Sequence, residues 1–295
     1  MIVKLYRKYM PYALRNKIYD VFLGAFLSFA RNPKEYSKAL LHLFSPFLPK
    51  TPENKCYAFM GKHGLTPYPY PFMLEYRKIV MDCFYDEPFN LHYVIHHTKK
   101  LYFPQSYSPQ DNVAIYKTLL TEQDSRSPHR YVKDYKRLTG KILLDIGAAE
   151  GIFALDCIEF IEHAYLFECD DKWVEALNAT FAPWKDKVTI VEKYVSDIND
   201  EHNITIDHFL EGKDNTNLFL KMDIEGYEQA ALRGAKNTLK DAHDLDYSIC
   251  TYHRKNDADE IHKILSDNHF ESEFTEGFFY IERELRTAII RRKSK

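Results

Sequence analysis

From Lys141 onward, short apolar runs alternate with amphipathic stretches at regular intervals. The runs at 141–146, 163–169, 188–195, 217–223 and 245–252 read as buried strands. Between them, apolar residues recur at helical spacing over 151–162, 171–182, 227–240 and 257–268. Such alternation predicts a parallel sheet covered by helices on both faces. The ending breaks the rhythm. Two apolar runs, 278–281 and 287–290, are separated only by a short charged turn, so the sheet is expected to close with an antiparallel hairpin.

The first part of the chain follows a different pattern. Up to about Pro49 it reads as helices, with Ile18, Phe22, Phe26 and Phe29 on one face and Pro11 and Pro33 as punctuation. A Pro- and Tyr-rich stretch follows at 67–71, too irregular for helix or strand. Residues 78–104 look β-rich, with strands at 79–85, 91–96 and 100–103 and turns at 86–88 and 98–100. A helix is expected over 112–120, with Asp111 near its start. These features predict an accessory, substrate-shaping module over 1–125 and a second domain over 126–295. No internal repeat or low-complexity tract interrupts either part.

Composition narrows the setting. The net charge of −3 argues against dedicated binding of nucleic acid. Residues 1–40, however, carry eight Lys or Arg against Asp20 and Glu35, a local net of +6 that leaves about −9 for the rest. That basic, aromatic-rich segment could lie on an anionic membrane surface, or its phenylalanines could pack on the β-rich segment. The longest apolar run, residues 21–30, is too short to span a bilayer and too far from the start for an ordinary signal peptide. Cys56, Cys83, Cys157, Cys169 and Cys250 are scattered, odd in number and without a CxxC pair, which points to a reducing, cytoplasmic location, including the inner face of a membrane.

The most informative local pattern lies after the first strand of the second domain. Asp145, Gly147, Ala148 and Gly151 form D-x-G-x-x-x-G on a tight strand-to-helix loop, and Glu168 follows 21 residues after Gly147 at the end of the next strand. Gly147 permits a sharp turn close to a ligand, and Gly151 lets the helix pack near the strand. A carboxylate at Glu168 can accept from both hydroxyls of a ribose. An alanine stands where a pyrophosphate loop carries its middle glycine. The loop therefore suits S-adenosylmethionine, which has a ribose and an amino-acid end but no phosphates, better than NAD. A nucleotide-dependent oxidoreductase remains the rival enzyme class, and a non-catalytic binding protein on the same fold the third reading.

Three segments together, LLDIGAAEGIFAL, FECDDKW and LFLKMDIEGYEQAALRGA, resemble the FkbM-type S-adenosylmethionine-dependent methyltransferases. The resemblance runs from about Thr121 to Ile281 and is most specific after the fourth strand, where the family carries D-x-EG-x-E. ITIDHFL at 204–210 resembles a family segment before that strand. Glu122-Gln123-Asp124 with residues 127–131 is similar to the lead-in of a bacterial subset. The resemblance implies a doubly wound class I methyltransferase sheet, mostly parallel with an antiparallel last strand, and O-methylation of a small molecule or glycan. It assigns Asp145, Gly147, Ala148 and Gly151 to the cofactor loop, Glu168 to the ribose and Asp197 to a position that often contacts adenine. An ordinary turn or helix cap is the bland alternative for Asp197. Trp173 suits a helix core better than an adenine contact.

Methyl transfer to oxygen needs an acceptor about 3 Å from the methyl carbon and a group to take its proton. Two strand ends qualify. Lys221, Asp223 and Glu225 alternate with apolar residues and are expected on one face at the mouth of the fourth strand. His253, beside Arg254, ends the fifth, and its ordinary pKa lies near operating pH. A buried Lys221–Asp223 pair is the structural alternative, and Glu225 with Glu228 could simply favour a helix N-terminus. The set Asp223, Glu225 and His253 could also hold a divalent metal, but no dense ligand spacing favours it.

Overall fold

The computed structural model describes residues 24–241 and 244–293. Ile18 and Phe22, expected on the first helical face, lie outside them.

Three helices open the described chain: α1 (Gly24–Arg31), α2 (Pro33–Phe44) and α3 (Pro52–His63). Proline at the first helical turn starts α2 and α3, where its missing N–H is no loss. The Thr51 side chain caps α3 by accepting from the Asn54 N–H. Gly61 lets α3 press on α2: a Cβ there would sit 2.5 Å from the Ala39 carbonyl oxygen. Tyr36, Ala39, Tyr57 and Met60 form the small core between them. The other face of this helical layer is bare. Phe26 is 65 % exposed and Phe29 50 %, so neither packs on the β-rich segment.

Next come α4 (Met73–Lys78) and an antiparallel sheet of β1 (Phe84–Asp86), β2 (Leu91–His96) and β3 (Lys99–Phe103). The strand expected from residue 79 begins only at Phe84. Ile79 closes α4 instead, and Val80 is 81 % exposed with no strand beside it. Helix α5 (Pro109–Glu122) starts a turn earlier than the apolar pattern indicated, because Ser108 caps it ahead of Pro109.

The second part is a seven-stranded sheet interleaved with helices. In chain order the elements are β4 (Ile142–Ile146), α6 (Ile152–Cys157), β5 (His163–Phe167), α7 (Asp171–Phe181), β6 (Val188–Val191), β7 (Tyr194–Val195) and β8 (Asn203–Ile204). They continue with α8 (Ile206–Leu210), β9 (Leu218–Met222), α9 (Glu228–Arg233), α10 (Lys236–Asp241), β10 (Asp246–Cys250) and α11 (Asp257–Asp267). The chain closes with β11 (Ser272–Phe274), β12 (Phe279–Ile281), β13 (Glu284–Arg286) and β14 (Ile289–Arg292). Strand order across the sheet is β11-β14-β10-β9-β4-β5-β6. β10, β9, β4, β5 and β6 run parallel, and β14 is antiparallel to both its neighbours. This is the doubly wound class I methyltransferase sheet, and its order reverses between β4 and β9.

Three expectations need correction. The helix over 227–240 is two helices, because Gly234 passes so close to Ser196 that a Cβ there would collide with the Ser196 carbonyl. The strand over 188–195 is broken after Val191, and its tail, β7, pairs with β8 away from the main sheet. The final hairpin also differs from the one expected. Glu282 and Arg283, both at positive φ, turn β12 back onto β13. β14 is thereby free to insert between β10 and β11, so the antiparallel last strand is present but its neighbour is β11, residues 272–274.

Side-chain alternation divides the core. Leu143 and Phe219 face α6 and α7, together with Val94, Leu101 and Tyr116 of the first part. Leu144, Leu220 and Met222 face the opposite way, toward α8, α9 and α11. The N-terminal segments thus share one core with the sheet. Among the described residues no helix is long and apolar enough to cross a membrane.

Candidate active site

The reversal point between β4 and β9 brings two loops together. The Asp223 N–H donates to the Ile146 carbonyl oxygen at 3.0 Å, just where β4 gives way to its loop. Gly147, at φ +77°, is wedged beneath Asp223; a Cβ there would collide with the Asp223 carbonyl. Gly151, at φ +75°, has no more room: its Cβ would lie 2.7 Å from Leu177 and 2.8 Å from Phe181 on α7. Both glycines are therefore steric requirements of the loop. A cleft of about 670 Å³ opens above it, lined by Gly147, Ala149, Glu168, Trp173, Ser196 and Asp223 among others. That volume suits a single nucleoside-sized ligand.

The expected cofactor residues divide by position. Gly147 and Glu168 line the cleft. The Glu168 carboxylate accepts from the N–H groups of Ala149 at 2.9 Å, Cys169 at 2.8 Å and Asp170 at 2.9 Å, which fix it at the carboxyl end of β5. Ala148 and Gly151 are buried supports of the loop. Asp145 is fully buried, and the cation it faces is the chain's own Lys221, with Nζ 2.9 Å from Oδ1. Burial raises the Asp145 pKa against the opposing pull of that ammonium. Asp197 lies apart, paired with Arg233 at 2.9 Å, while its neighbour Ser196 lines the cleft. Trp173 is only partly buried. It lines the cleft and packs edge-on against Tyr107.

The expected chemical residues do not share one face. Lys221 is buried, and besides Asp145 its ammonium donates to the Gly147 carbonyl at 2.5 Å. It is a brace under the glycine loop; a buried pair does form, but with Asp145 rather than Asp223. Glu225 follows the end of β9 at φ +54°, and its side chain is 91 % exposed. The strand alternation ends at Met222, so the period that grouped the three no longer applies.

Asp223 and His253 do meet. Asp223 Oδ1 is 3.3 Å from His253 Nε2, and Oδ2 accepts from the Tyr131 hydroxyl at 2.8 Å. Tyr252 donates to Oδ1 at 3.4 Å. Burial works against the charge on Asp223, but Lys221, His129 and His253 outweigh it and hold the carboxyl below its ordinary pKa. The other ring nitrogen of His253 is 2.7 Å from Glu228 Oε1, which also accepts from the Ile224 N–H at 3.0 Å. Burial alone would lower the His253 pKa; the Glu228 hydrogen bond and the Asp223 charge raise it overall. An imidazole whose pKa two carboxylates raise is more readily protonated and less available as a proton acceptor, whereas Asp223, held below its ordinary pKa, can accept one.

Glu228, Tyr131 and Tyr252 were not singled out for chemistry by the sequence. Glu228 looked like a charge favouring a helix start, and only the fold shows its carboxylate fully buried against His253. Asp223, Glu228 and His253 stand close enough to surround a cation. Coordination there would have to replace the hydrogen bonds that already join them, so the donor set fits a proton-handling cluster better than a metal centre.

Residues 182–272 match the family model described as the methyltransferase FkbM domain. The match covers the segments at 204–210 and 218–235 but begins beyond the glycine loop and Glu168. Methyltransferase FkbM from Methylobacillus flagellatus KT is similar in structure at 20 % identity and a TM-score of 0.42, covering 61 % of this chain and 54 % of that one. The present chain thus spans about half of that protein. A putative RNA methyltransferase from Pyrococcus horikoshii is similar at 17 % identity and a TM-score of 0.37, covering 58 % and 85 %. Magnesium protoporphyrin IX methyltransferase from Synechocystis PCC 6803, solved with bound SAM, is similar at 16 % identity and 0.34, covering 53 % and 72 %. No curated protein matches the chain in sequence. Residues 182–272, which include β9 and the Asp223 turn, thus match the FkbM methyltransferase domain, within a sheet of class I methyltransferase strand order.

Proposed function

We propose that the chain transfers a methyl group from S-adenosylmethionine to a hydroxyl oxygen of a small molecule or glycan. The carrying observation is a single cleft with a nucleoside-type wall, Gly147 and Glu168, facing an ionised carboxylate, Asp223, across the reversal point of the sheet. S-adenosylmethionine, when bound, supplies an electrophilic methyl carbon. In this reading Glu168 accepts from the ribose, and Asp223 orients the acceptor hydroxyl and takes its proton. A weak base suffices, because the proton becomes strongly acidic as the new carbon–oxygen bond forms. His253, fixed by Glu228, keeps Asp223 ionised and aimed. In the same reading residues 1–125, whose Val94, Leu101 and Tyr116 share the core under the sheet, shape the acceptor site of the 126–295 catalytic domain.

Methyl-labelled S-adenosylmethionine incubated with sugars, polyketide-type alcohols, lipid-linked glycans and an RNA tests this directly. Label entering a hydroxyl compound supports the proposal. Label entering only RNA bases, or measurable NAD binding with no transfer at all, contradicts it.

A second reading concerns location within a reducing, cytoplasmic compartment. Phe26, Phe29, Leu41, Phe44 and Phe47 are all exposed on or just after the basic N-terminal helices. We infer that this face rests on an anionic membrane surface, bringing the cleft to a lipid-linked acceptor. Flotation with anionic liposomes should recover the full chain at low salt and lose it at high salt. A protein that stays in the soluble fraction at low salt contradicts this reading.

A further inference from the structure

Behind Asp223 lies a second set of buried and partly buried groups that methyl transfer as described does not use. They come from the lead-in segment before the sheet. Glu122, at the end of α5, accepts from the Tyr68 hydroxyl at 3.0 Å, and its Oε1 lies 3.3 Å from His129 Nδ1. His129 Nε2 is 2.8 Å from the Tyr252 hydroxyl, which in turn donates to Asp223 Oδ1 at 3.4 Å. His129 is 1 % exposed; its Nδ1 lies 3.3 Å from the Glu122 carboxylate but makes no aligned hydrogen bond in this arrangement. Buried polar groups are seldom left without partners, and the Glu122 carboxylate is the acceptor within reach of Nδ1.

We propose that Glu122, His129 and Tyr252 form a proton wire ending on Asp223, with Glu122 as the group that stores the proton taken from the acceptor. This rests on Asp223 being the acceptor's base.

The hydrogen bonds permit two polarities. With Glu122 ionised, Nδ1 carries the ring proton on the side of Glu122, and Tyr252 turns its one proton away from Asp223 to Nε2. Asp223, on receiving the acceptor proton, can then donate to the Tyr252 oxygen. Tyr252 passes its own proton to Nε2, and Nδ1 passes its proton to Glu122. Each group gains one proton and loses one, Asp223 returns to its carboxylate, and only Glu122 changes charge. No tyrosinate or doubly protonated imidazole has to persist.

The surroundings suit this task. Burial, then the Asp223 charge, push Glu122 up to about 7, against the pull of Tyr68 and Lys221. Glu150, in the loop after β4, is itself pushed up to about 8 by burial and then by the Glu122 charge. Burial brings His129 down to about 4, so its ring relays a proton without keeping one. A store that titrates near neutrality can fill and empty in each cycle.

Glu122 acts through its neighbours and is a positioning residue in this scheme, so its test needs more than lost activity. Infrared pH titration of the full-length protein with bound S-adenosylhomocysteine should show a protonated carboxyl that ionises near pH 7. The band should vanish in Glu122→Gln, and its midpoint should fall in Asp223→Asn, where the repelling charge is gone. With the acceptor found in the transfer assay, Glu122→Gln should lower kcat tenfold or more and leave S-adenosylhomocysteine affinity unchanged. It should also flatten the rise of kcat through pH 7. His129→Gln, which cuts the wire while keeping Glu122, should give the same kinetic loss. A parent protein with no carboxyl titrating near 7, or a Glu122→Gln variant with the parent kcat and pH profile, overturns the wire. If Asp223→Asn turns over normally, the reading of Asp223 as base falls and the wire falls with it. If Asp223→Asn is inactive while Glu122→Gln matches the parent, the wire alone is wrong.

Discussion

The two walls of the cleft are built on opposite principles. The wall after β4 is local in sequence and steric in origin. Residues 145–151 and Glu168 follow one another along two adjacent strands, and Gly147 and Gly151 are fixed by clashes that any side chain would create. The facing wall is assembled from distant segments and is electrostatic in origin. Tyr131, Asp223, Glu228, Tyr252 and His253 meet only through the fold, and the protonation of Asp223 and His253 is set by their neighbours. A backbone-shaped wall should lose binding when altered. A charge-shaped wall should lose chemistry.

Substitutions can break that division. Lys221 joins the two walls from below, so Lys221→Met should give the largest structural effect. It leaves Asp145 as a buried charge without its partner, which typically destabilises by about 3–5 kcal/mol. Chemical denaturation would register this as a lower midpoint, and an unchanged midpoint would mean that the pair does not brace the loop. Asp223→Asn is expected to reduce turnover by about 10²–10⁴-fold, the usual range for removing a general base. Calorimetry should find its S-adenosylhomocysteine affinity close to the parent value; a large affinity loss would assign Asp223 to binding instead.

The sequence already showed most of the first wall, for a physical reason. Tight turns and helix packing demand glycine at fixed spacing, and a strand-end acid follows one crossover later. The alternation that located β4, β5, β9 and β10 is likewise a local signal. The chemical wall was only half visible. Asp223 and His253 stood at strand ends where groups of that type are useful. Lys221 and Glu225 were grouped with Asp223 by a strand period that stops at Met222. Glu228 was hidden because a carboxylate in a first helical turn has an ordinary explanation. Glu122, His129 and Tyr131 stood in a segment whose resemblance was noticed but whose depth under the sheet depends on contacts more than 90 residues apart, such as Tyr131 to Asp223. The closing strands were misassigned for a related reason. Two apolar runs near a charged turn look alike whichever of them the turn joins.

Smaller effects sharpen the contrast. Glu168→Ala should weaken S-adenosylhomocysteine binding by about 1–3 kcal/mol, as expected for lost hydrogen bonds to a charged group. Its kcat at saturating cofactor should fall much less than that of Asp223→Asn. Equal losses of kcat in the two variants would erase the distinction between the walls. Asp197→Ala should do least. Its partner Arg233 is half-exposed, and surface pairs of this kind contribute about 0–1 kcal/mol. Cofactor affinity in Asp197→Ala, measured by the same calorimetry, is expected to match the parent; a tenfold loss would return Asp197 to the adenine site.

The most direct measurement is a crystal structure of the full chain with S-adenosylhomocysteine bound. The account predicts the ribose hydroxyls within hydrogen-bonding distance of the Glu168 carboxylate. It also places the sulfur on the side of the cleft that faces Asp223, with the ring of His253 still held by Glu228. A ligand seated elsewhere, such as the separate groove beside Lys100 and Trp184, or one whose sulfur points away from Asp223, would contradict it.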